Sequence, residues 1–282
     1  MKSKIFSALL LVISLSCSSD KETARRDFFK AKGIEITKGR VIAWFPKDSL
    51  DAMRMNAIVD TLNRGIDLAD RFIDGPADWQ LFKNKKITYY FCPGKFFVSY
   101  ASKSGDIFIP FLRLKNNTSP WLHETMHILL RSIKGNWNNN TQVYSYFYMP
   151  QWFVEGAAEY LAVKISHDNK IPKVDLFKSG GYTGVDSVCQ KNLQKENGAY
   201  ILKYIGTTGA MRELAGEHRA DYAPTYYNCS CSFTKYLAES YGLKTILEGI
   251  SAFEQEQETI ERLTHKSMNQ LKEEWVNQIN QP

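Results

Sequence analysis

The sequence predicts an α+β fold in which a small mixed sheet comes first and helices follow. Short segments rich in β-branched and aromatic residues occupy the first 115 positions, and helical periodicity dominates after residue 119. Of the 282 residues, 44% are hydrophobic, which is enough apolar material for a sizeable core. We therefore expect one globular unit at 33–282, with a strand-rich subdomain at 33–115 and a mostly helical subdomain at 119–282.

The first 17 residues have the pattern of an export signal. Two lysines precede an apolar run at 5–15 that is too short to span a bilayer as a mature helix. Cys17 resembles the acylated cysteine of a bacterial lipoprotein signal, although Ser14 stands where that signal usually has an aliphatic residue. We expect cleavage before Cys17, a lipid anchor on Cys17 that attaches the exported protein to a membrane, and a polar tether at 18–32. Cleavage nearby, giving a soluble secreted protein, is the alternative.

The strand-rich half contains four elements that the residue pattern predicts. The segment at 33–46 reads as one or two strands, and 49–73 has the apolar stripe of a long helix. Further strands are predicted at 86–93 and at 105–111, which has the sequence GDIFIPF. These strands supply the expected small sheet.

The helical half begins at Ser119-Pro120, because serine can cap a helix and proline suits its first turn. This helix carries the sequence HETMH. Pro150 opens a second helix, QWFVEGAAEYLAVKI, and most of the chain after about residue 185 is predicted to be helical, including an amphipathic helix at 268–279.

The charged residues argue against nucleic acid as a partner. The chain has 36 Lys and Arg against 30 Asp and Glu, and its basic residues are scattered rather than gathered into a stripe. A solvated surface of mixed charge explains this pattern.

Four cysteines remain besides Cys17, namely Cys92, Cys189, Cys229 and Cys231. An even number in an exported chain is compatible with one or two disulfides, and buried free thiols are the alternative. The spacing does not fix the connectivity.

The first site motif is the pair His123 and His127. Four residues apart on a helix, the two imidazoles project from one face and can reach the same ion. Glu124 lies about 100° around the helix from His123. There it can reach a water molecule on the metal without ligating the metal itself.

The second motif is the pair of carboxylates on the following helix. Glu155 lies 28 residues after His127, and Glu159 follows one helical turn later. Their neighbours are largely apolar: Trp152, Phe153, Ala157, Tyr160 and Leu161. Buried carboxylates are costly unless they are paired, hydrogen-bonded or bound to a metal, so the pattern favours a metal site over a solvated acidic face.

Together these motifs resemble the gluzincins, in particular bacterial peptidase-MA-like domains with H-E-x-x-H followed by W-x-x-E-G-x-A-E-Y. The resemblance implies a thermolysin-like zincin fold with the metal site on two helices in a cleft. It also implies that His123, His127 and Glu155 hold one Zn²⁺ per chain and that Glu159 hydrogen-bonds a ligand histidine. Gly156 and Ala157 would let this helix approach the metal helix closely.

The resemblance extends to the region around SFTKYLAESYG. It implies that Tyr227 donates its hydroxyl proton to the developing oxyanion, with Tyr226, Tyr222 and His218 as competitors and a core tyrosine as the alternative. The segment GDIFIPF would take the place of the edge strand that binds extended peptide.

The expected function is that of an exported, lipid-anchored zinc peptidase acting on peptides or protein segments, with Glu124 as general base. Cobalt or manganese would also fit the ligand set. No G-x-M-E-N anchor for a substrate amine is present, which favours an endopeptidase. A surface lipoprotein that uses the same fold for binding, with the Asn-rich stretch 136–141 as a lid over the site, is the alternative. A third hypothesis, that the H-E-x-x-H motif is accidental, predicts that the chain binds no metal.

Overall fold

The computed structural model describes residues 22–73, 85–94, 98–102, 104–131, 137–138, 143–144, 150–171, 180–195, 198–207, 219–251 and 256–281. In this part of the chain, a five-stranded mixed sheet lies in the N-terminal half and helices make up most of the remainder. The predicted α+β class is confirmed at this level. The export signal with Cys17 and the competitor His218 lie outside the described residues, as does most of the 136–141 stretch.

The strands and helices have the following bounds. The strands are β1 (Gly33–Lys38), β2 (Val41–Pro46), β3 (Ile87–Cys92), β4 (Tyr100–Ala101), β5 (Asp106–Pro110), β6 (Trp137–Asn138) and β7 (Val143–Tyr144). The helices are α1 (22–32), α2 (Ala52–Phe72), α3 (Phe111–Lys115), α4 (Trp121–Arg131), α5 (Gln151–Asn169), α6 (Gly181–Leu193), α7 (Gly198–Leu202), α8 (Arg219–Tyr241), α9 (Leu243–Ser251), α10 (Glu256–Thr264) and α11 (Met268–Ile279). Within the described residues, the predicted strands and helices have counterparts among these elements, and the segment predicted as one or two strands forms two, β1 and β2.

The main sheet has the strand order β1-β2-β3-β5-β4. The β1–β2 and β4–β5 pairs are antiparallel, and the β2–β3 and β3–β5 pairs are parallel. We expected β5 to form an edge of the sheet. Instead β4 pairs with it, Tyr100 opposite Phe108 and Ala101 opposite Ile107, so the edge strand is β4. A two-residue strand leaves too short a pattern to recognise in the sequence.

The two faces of the sheet carry separate apolar clusters. Alternate residues of β2, β3 and β5 point to the inner face, where they join the main core with α2, α4 and the C-terminal helices. The outer face carries a smaller cluster made of Tyr90, Cys92 and Phe108, and Phe29 of α1 completes it. Phe29 is only 1% exposed, so α1 is anchored on the outer face.

Helix α1 replaces much of the tether that we expected at 18–32. The residues of α1 that are not exposed are Glu22, Arg25, Arg26 and Phe29, which recur at the spacing of one helical face. Three of these four are charged, and for this reason the segment resembled a solvated linker in the sequence.

The helical half is built around α8, which packs against α5, α6 and α9. A disulfide between Cys189 and Cys229 links α6 to α8, while Cys92 and Cys231 are buried free thiols. The chain therefore combines both alternatives that the cysteine count allowed. A reciprocal capping box between Ser267 and Gln270 starts α11. Among the described residues, no helix is long and apolar enough to cross a membrane.

Candidate metal centre

Helix α4, which carries the HETMH motif, is fixed by packing rather than by the cap that the sequence suggested. The Ser119 hydroxyl is buried and has no hydrogen-bond partner in the described structure, so it does not cap the helix. The first turn is closed by the backbone bond from Glu124 N–H to the Pro120 carbonyl, 3.0 Å long. On α2, a Cβ added to Gly65 would lie 2.4 Å from the Trp121 ring, so this glycine permits close packing of α2 against α4.

A hydrogen bond from the sheet also holds α4. The Thr125 hydroxyl donates to the Trp121 carbonyl at 2.6 Å, and it lies 2.7 Å from the Tyr89 hydroxyl on β3. Because the single proton of Thr125 is already used, Tyr89 is the donor of the second bond. Burial raises the pKa of Tyr89 above its ordinary value, which keeps this donor protonated. The bond ties α4 to β3 between Glu124 and His127.

The predicted ligands come together at the crossing of α4 and α5. The Nε2 atoms of His123 and His127 are 2.9 Å apart, and Glu155 Oε2 lies 3.2 Å from the first and 3.4 Å from the second. Both histidines are buried, and the Glu155 side chain is 19% exposed. Three donor atoms from two helices thus converge on one point.

These distances match the requirements of a small tetrahedral ion. Zinc binds histidine nitrogen and carboxylate oxygen at about 2.0–2.1 Å, which places tetrahedral donors about 3.3 Å from one another. The three separations given above lie within about half an ångström of this value. Two imidazoles and one carboxylate form a donor set that zinc accepts and that leaves a fourth position for water. The residues present therefore fit a zinc ion.

Glu159 orients the first ligand, as the resemblance implied. Its Oε2 lies 2.8 Å from Nδ1 of His123, and the Glu159 side chain is 1% exposed. Because an ionised carboxylate only accepts hydrogen bonds, Nδ1 of His123 carries the proton. In the neutral imidazole of His123 the lone pair is then on Nε2, the atom that faces His127 and Glu155.

The electrostatics of the cluster favour ionised carboxylates beside a basic imidazole. Burial acts to lower the pKa of His123, but hydrogen bonds to Glu155 and Glu159 and the charge of Glu124 outweigh it, so this pKa lies well above its ordinary value. Burial acts to raise the pKa of Glu155, yet the two histidines lower it well below its usual range. Glu124, the expected base, is 5% exposed and lies close enough to act on His123.

Gly156 has a different neighbour from the one we expected. A Cβ at this position would lie 2.4 Å from Thr234 Oγ1 and 2.5 Å from the Ser230 carbonyl oxygen, both on α8. The glycine therefore brings α5 close to α8 and not to α4. The sequence identified the small residue but not the neighbouring helix that it faces.

The tyrosines proposed as proton donors lie on α8, the helix against which α5 packs. Tyr227 is half-buried, and its ring centroid is 5.9 Å from that of Tyr226. Tyr226 is fully buried and Tyr222 is half-buried. Tyr226 thus has the burial of a core residue, and the role of Tyr227 stays a prediction.

Comparison with protein-family models and with curated proteins gives no match for this chain. The motifs of α4 and α5 and the geometry of the five side chains described above identify the candidate metal centre.

Proposed function

We propose that this protein is an exported zinc-dependent peptidase with a thermolysin-like fold. The observation that carries the proposal is the convergence of His123, His127 and Glu155, whose donor atoms lie 2.9–3.4 Å apart, next to the buried Glu124. The five-stranded mixed sheet packed against α4 supports the fold. The sequence has no G-x-M-E-N motif that would bind a substrate amine, which favours cleavage of internal peptide bonds.

Each residue of the site has a separate role in the proposed peptide hydrolysis. A bound zinc ion would supply Lewis-acid chemistry, polarising the scissile carbonyl and lowering the pKa of the attacking water. Glu124 accepts the proton of that water and delivers it to the leaving amine. Glu159 keeps His123 in the tautomer that binds metal. Tyr227 is the proposed donor to the developing oxyanion.

Two features support export of the protein. The Cys189–Cys229 disulfide is a bond that persists in oxidising compartments outside the cytoplasm. The first 17 residues have the pattern of a lipoprotein signal, and we propose that Cys17 is acylated, which attaches the protein to a membrane surface.

The test combines metal analysis with a single substitution. Wild type, Glu124→Gln and a control, Glu273→Gln at an exposed position of α11, are purified and assayed for zinc content and for cleavage of an unstructured peptide library. We expect one zinc per chain in all three proteins. Hydrolysis should fall at least about 10²-fold in Glu124→Gln alone, because removing a general base costs this much or more.

Each contrary outcome has a separate meaning. Wild type that cannot be loaded with zinc would contradict the metal centre. Zinc-loaded wild type that cleaves no peptide would contradict the peptidase and leave a binding protein with a metal site. Full activity in Glu124→Gln would remove Glu124 from the mechanism.

A further inference from the structure

The edge of the sheet nearest the metal helix has little support of its own. Strand β4 consists of two residues, Tyr100 and Ala101, and its ladder with β5 has two residue pairs. Strand β4 nevertheless packs against α4, the helix that carries His123 and His127. A ladder of two residue pairs is short, so the position of β4 against α4 depends on contacts from other elements.

Helix α1 provides such contacts through two consecutive arginines. Arg25 donates from Nη1 to the Tyr100 hydroxyl at 2.8 Å. Arg26 donates from Nε to Asp106 at 2.8 Å and from Nη2 to Ser104 at 2.7 Å. One helix is thereby bonded to β4, to the start of β5 and to the turn between them.

The surroundings of these bonds make them stronger than ordinary surface contacts. The side chains of Arg26 and Asp106 are 23% and 18% exposed, so water screens the pair only in part. Both guanidinium groups also lie over the ring of Phe108, at 5.9 Å for Arg25 and 5.7 Å for Arg26. Phe29 anchors the next turn of α1 in the outer-face cluster.

We propose that Arg25 and Arg26 are positioning residues that brace the β4–β5 hairpin against α4 and thereby set the affinity of the site for an extended peptide. The second half of this inference rests on the proposed peptidase function, and the first half does not. Helix α1 lies on the outer face of the sheet, opposite the face that packs against α4. Helix α1 therefore contacts the hairpin from the face of the sheet opposite α4 and does not cover the candidate metal centre.

The brace is tested on the full mature chain with four variants. Arg26→Ala and Arg25→Ala remove the bonds, Arg26→Lys keeps the charge with fewer donors, and Lys30→Ala is a control at an exposed position of the same helix. Amide hydrogen exchange over residues 98–106 reports on the hairpin directly. We expect exchange there to become about tenfold faster in Arg26→Ala, in line with the loss of a partly buried ion pair. The increase should be smaller in Arg26→Lys, and Lys30→Ala should match wild type.

Kinetics separate positioning from general stability. In Arg26→Ala we expect KM for an unstructured peptide to rise several-fold. The values of kcat and zinc content should stay close to those of wild type, because no candidate metal ligand lies on α1 or β4. Unchanged exchange over 98–106 would overturn the brace. Higher activity in Arg26→Ala would show an inhibitory segment instead, and a parallel loss of zinc would show a merely structural role. If wild type cleaves no peptide, the proposed function fails, and the exchange measurement alone decides whether the brace exists.

Discussion

Replacing Gly156 by alanine tests whether the contact between α5 and α8 holds the metal ligands in place. The added Cβ would lie 2.5 Å from the Ser230 carbonyl oxygen, and ordinary contact begins at 3.4 Å. The two helices must therefore separate locally by about 0.9 Å, the difference between these distances. Because Glu155 directly precedes Gly156, this shift also moves a candidate ligand.

The expected cost follows from two opposing effects. In an unhindered helix, changing glycine to alanine stabilises a protein by about 1 kcal/mol. Overpacking a buried contact costs about 1–3 kcal/mol, and the backbone oxygen of Ser230 cannot rotate away as a side chain could, so the upper end applies. We expect a net loss of about 2 kcal/mol in the free energy of unfolding. For a chain of this size, this loss lowers Tm by about 4–8 °C.

Chemical denaturation and zinc titration measure the two consequences separately. Gly156→Ala should unfold at lower denaturant concentration and bind zinc more weakly than wild type. Adding Thr234→Ala removes the contact at 2.4 Å but leaves the Ser230 carbonyl, so the double variant should recover only part of the loss. Stability of Gly156→Ala equal to or above that of wild type would refute the close approach, because helix propensity alone would then account for the result.

Two further predictions concern the disulfide and the pH dependence of metal binding. The Cys189–Cys229 bond closes a loop with a sequence separation of 40, so Cys189→Ala combined with Cys229→Ala should lower the free energy of unfolding by about 4 kcal/mol. Adding reductant should lower the free energy of unfolding of wild type by a similar amount and should not change that of the double variant. Chemical denaturation measures both. Since Glu155 and Glu159 raise the pKa of His123 against the opposing effect of burial, a proton competes with zinc for His123 at higher pH than for an ordinary histidine. The apparent zinc affinity should fall about tenfold per pH unit below this pKa, and a flat profile in titrations from about pH 8 to about pH 6 would contradict this reasoning.

The parts of the site that could be predicted from sequence are those fixed by the geometry of a single helix. His123 and His127 share a face because four residues make roughly one turn, and the same spacing relates Glu155 to Glu159. The apolar neighbours on α5 predicted that this helix is buried, and its buried residues agree with that prediction. The meeting of the two helices was inferred from the resemblance and is observed in the distances from Glu155 to both histidines.

Contacts between elements distant in sequence could not be predicted in the same way. Gly156 shows that a helix position requires a small residue, but the pattern along α5 is equally compatible with α4 or α8 as the neighbour. The hydrogen bond from Tyr89 to Thr125 joins β3 to α4, and neither residue has a sequence signal that marks it as a partner. Such pairs depend on how the elements pack, which local periodicity does not specify.

Helix α1 shows why a polar segment need not be a linker. Composition predicts disorder where a chain cannot bury enough apolar surface to offset its loss of conformational entropy. On α1, Phe29 is buried while Phe28 is 41% exposed, and Arg25 and Arg26 hydrogen-bond to partners on the sheet edge. Charged residues thus dock this helix because the outer face of the sheet offers Asp106, the Tyr100 hydroxyl and the ring of Phe108. Charged residues that recur on one helical face beside a buried aromatic residue, next to a strand-rich region, are therefore compatible with docking even when the mean hydropathy of the segment is low.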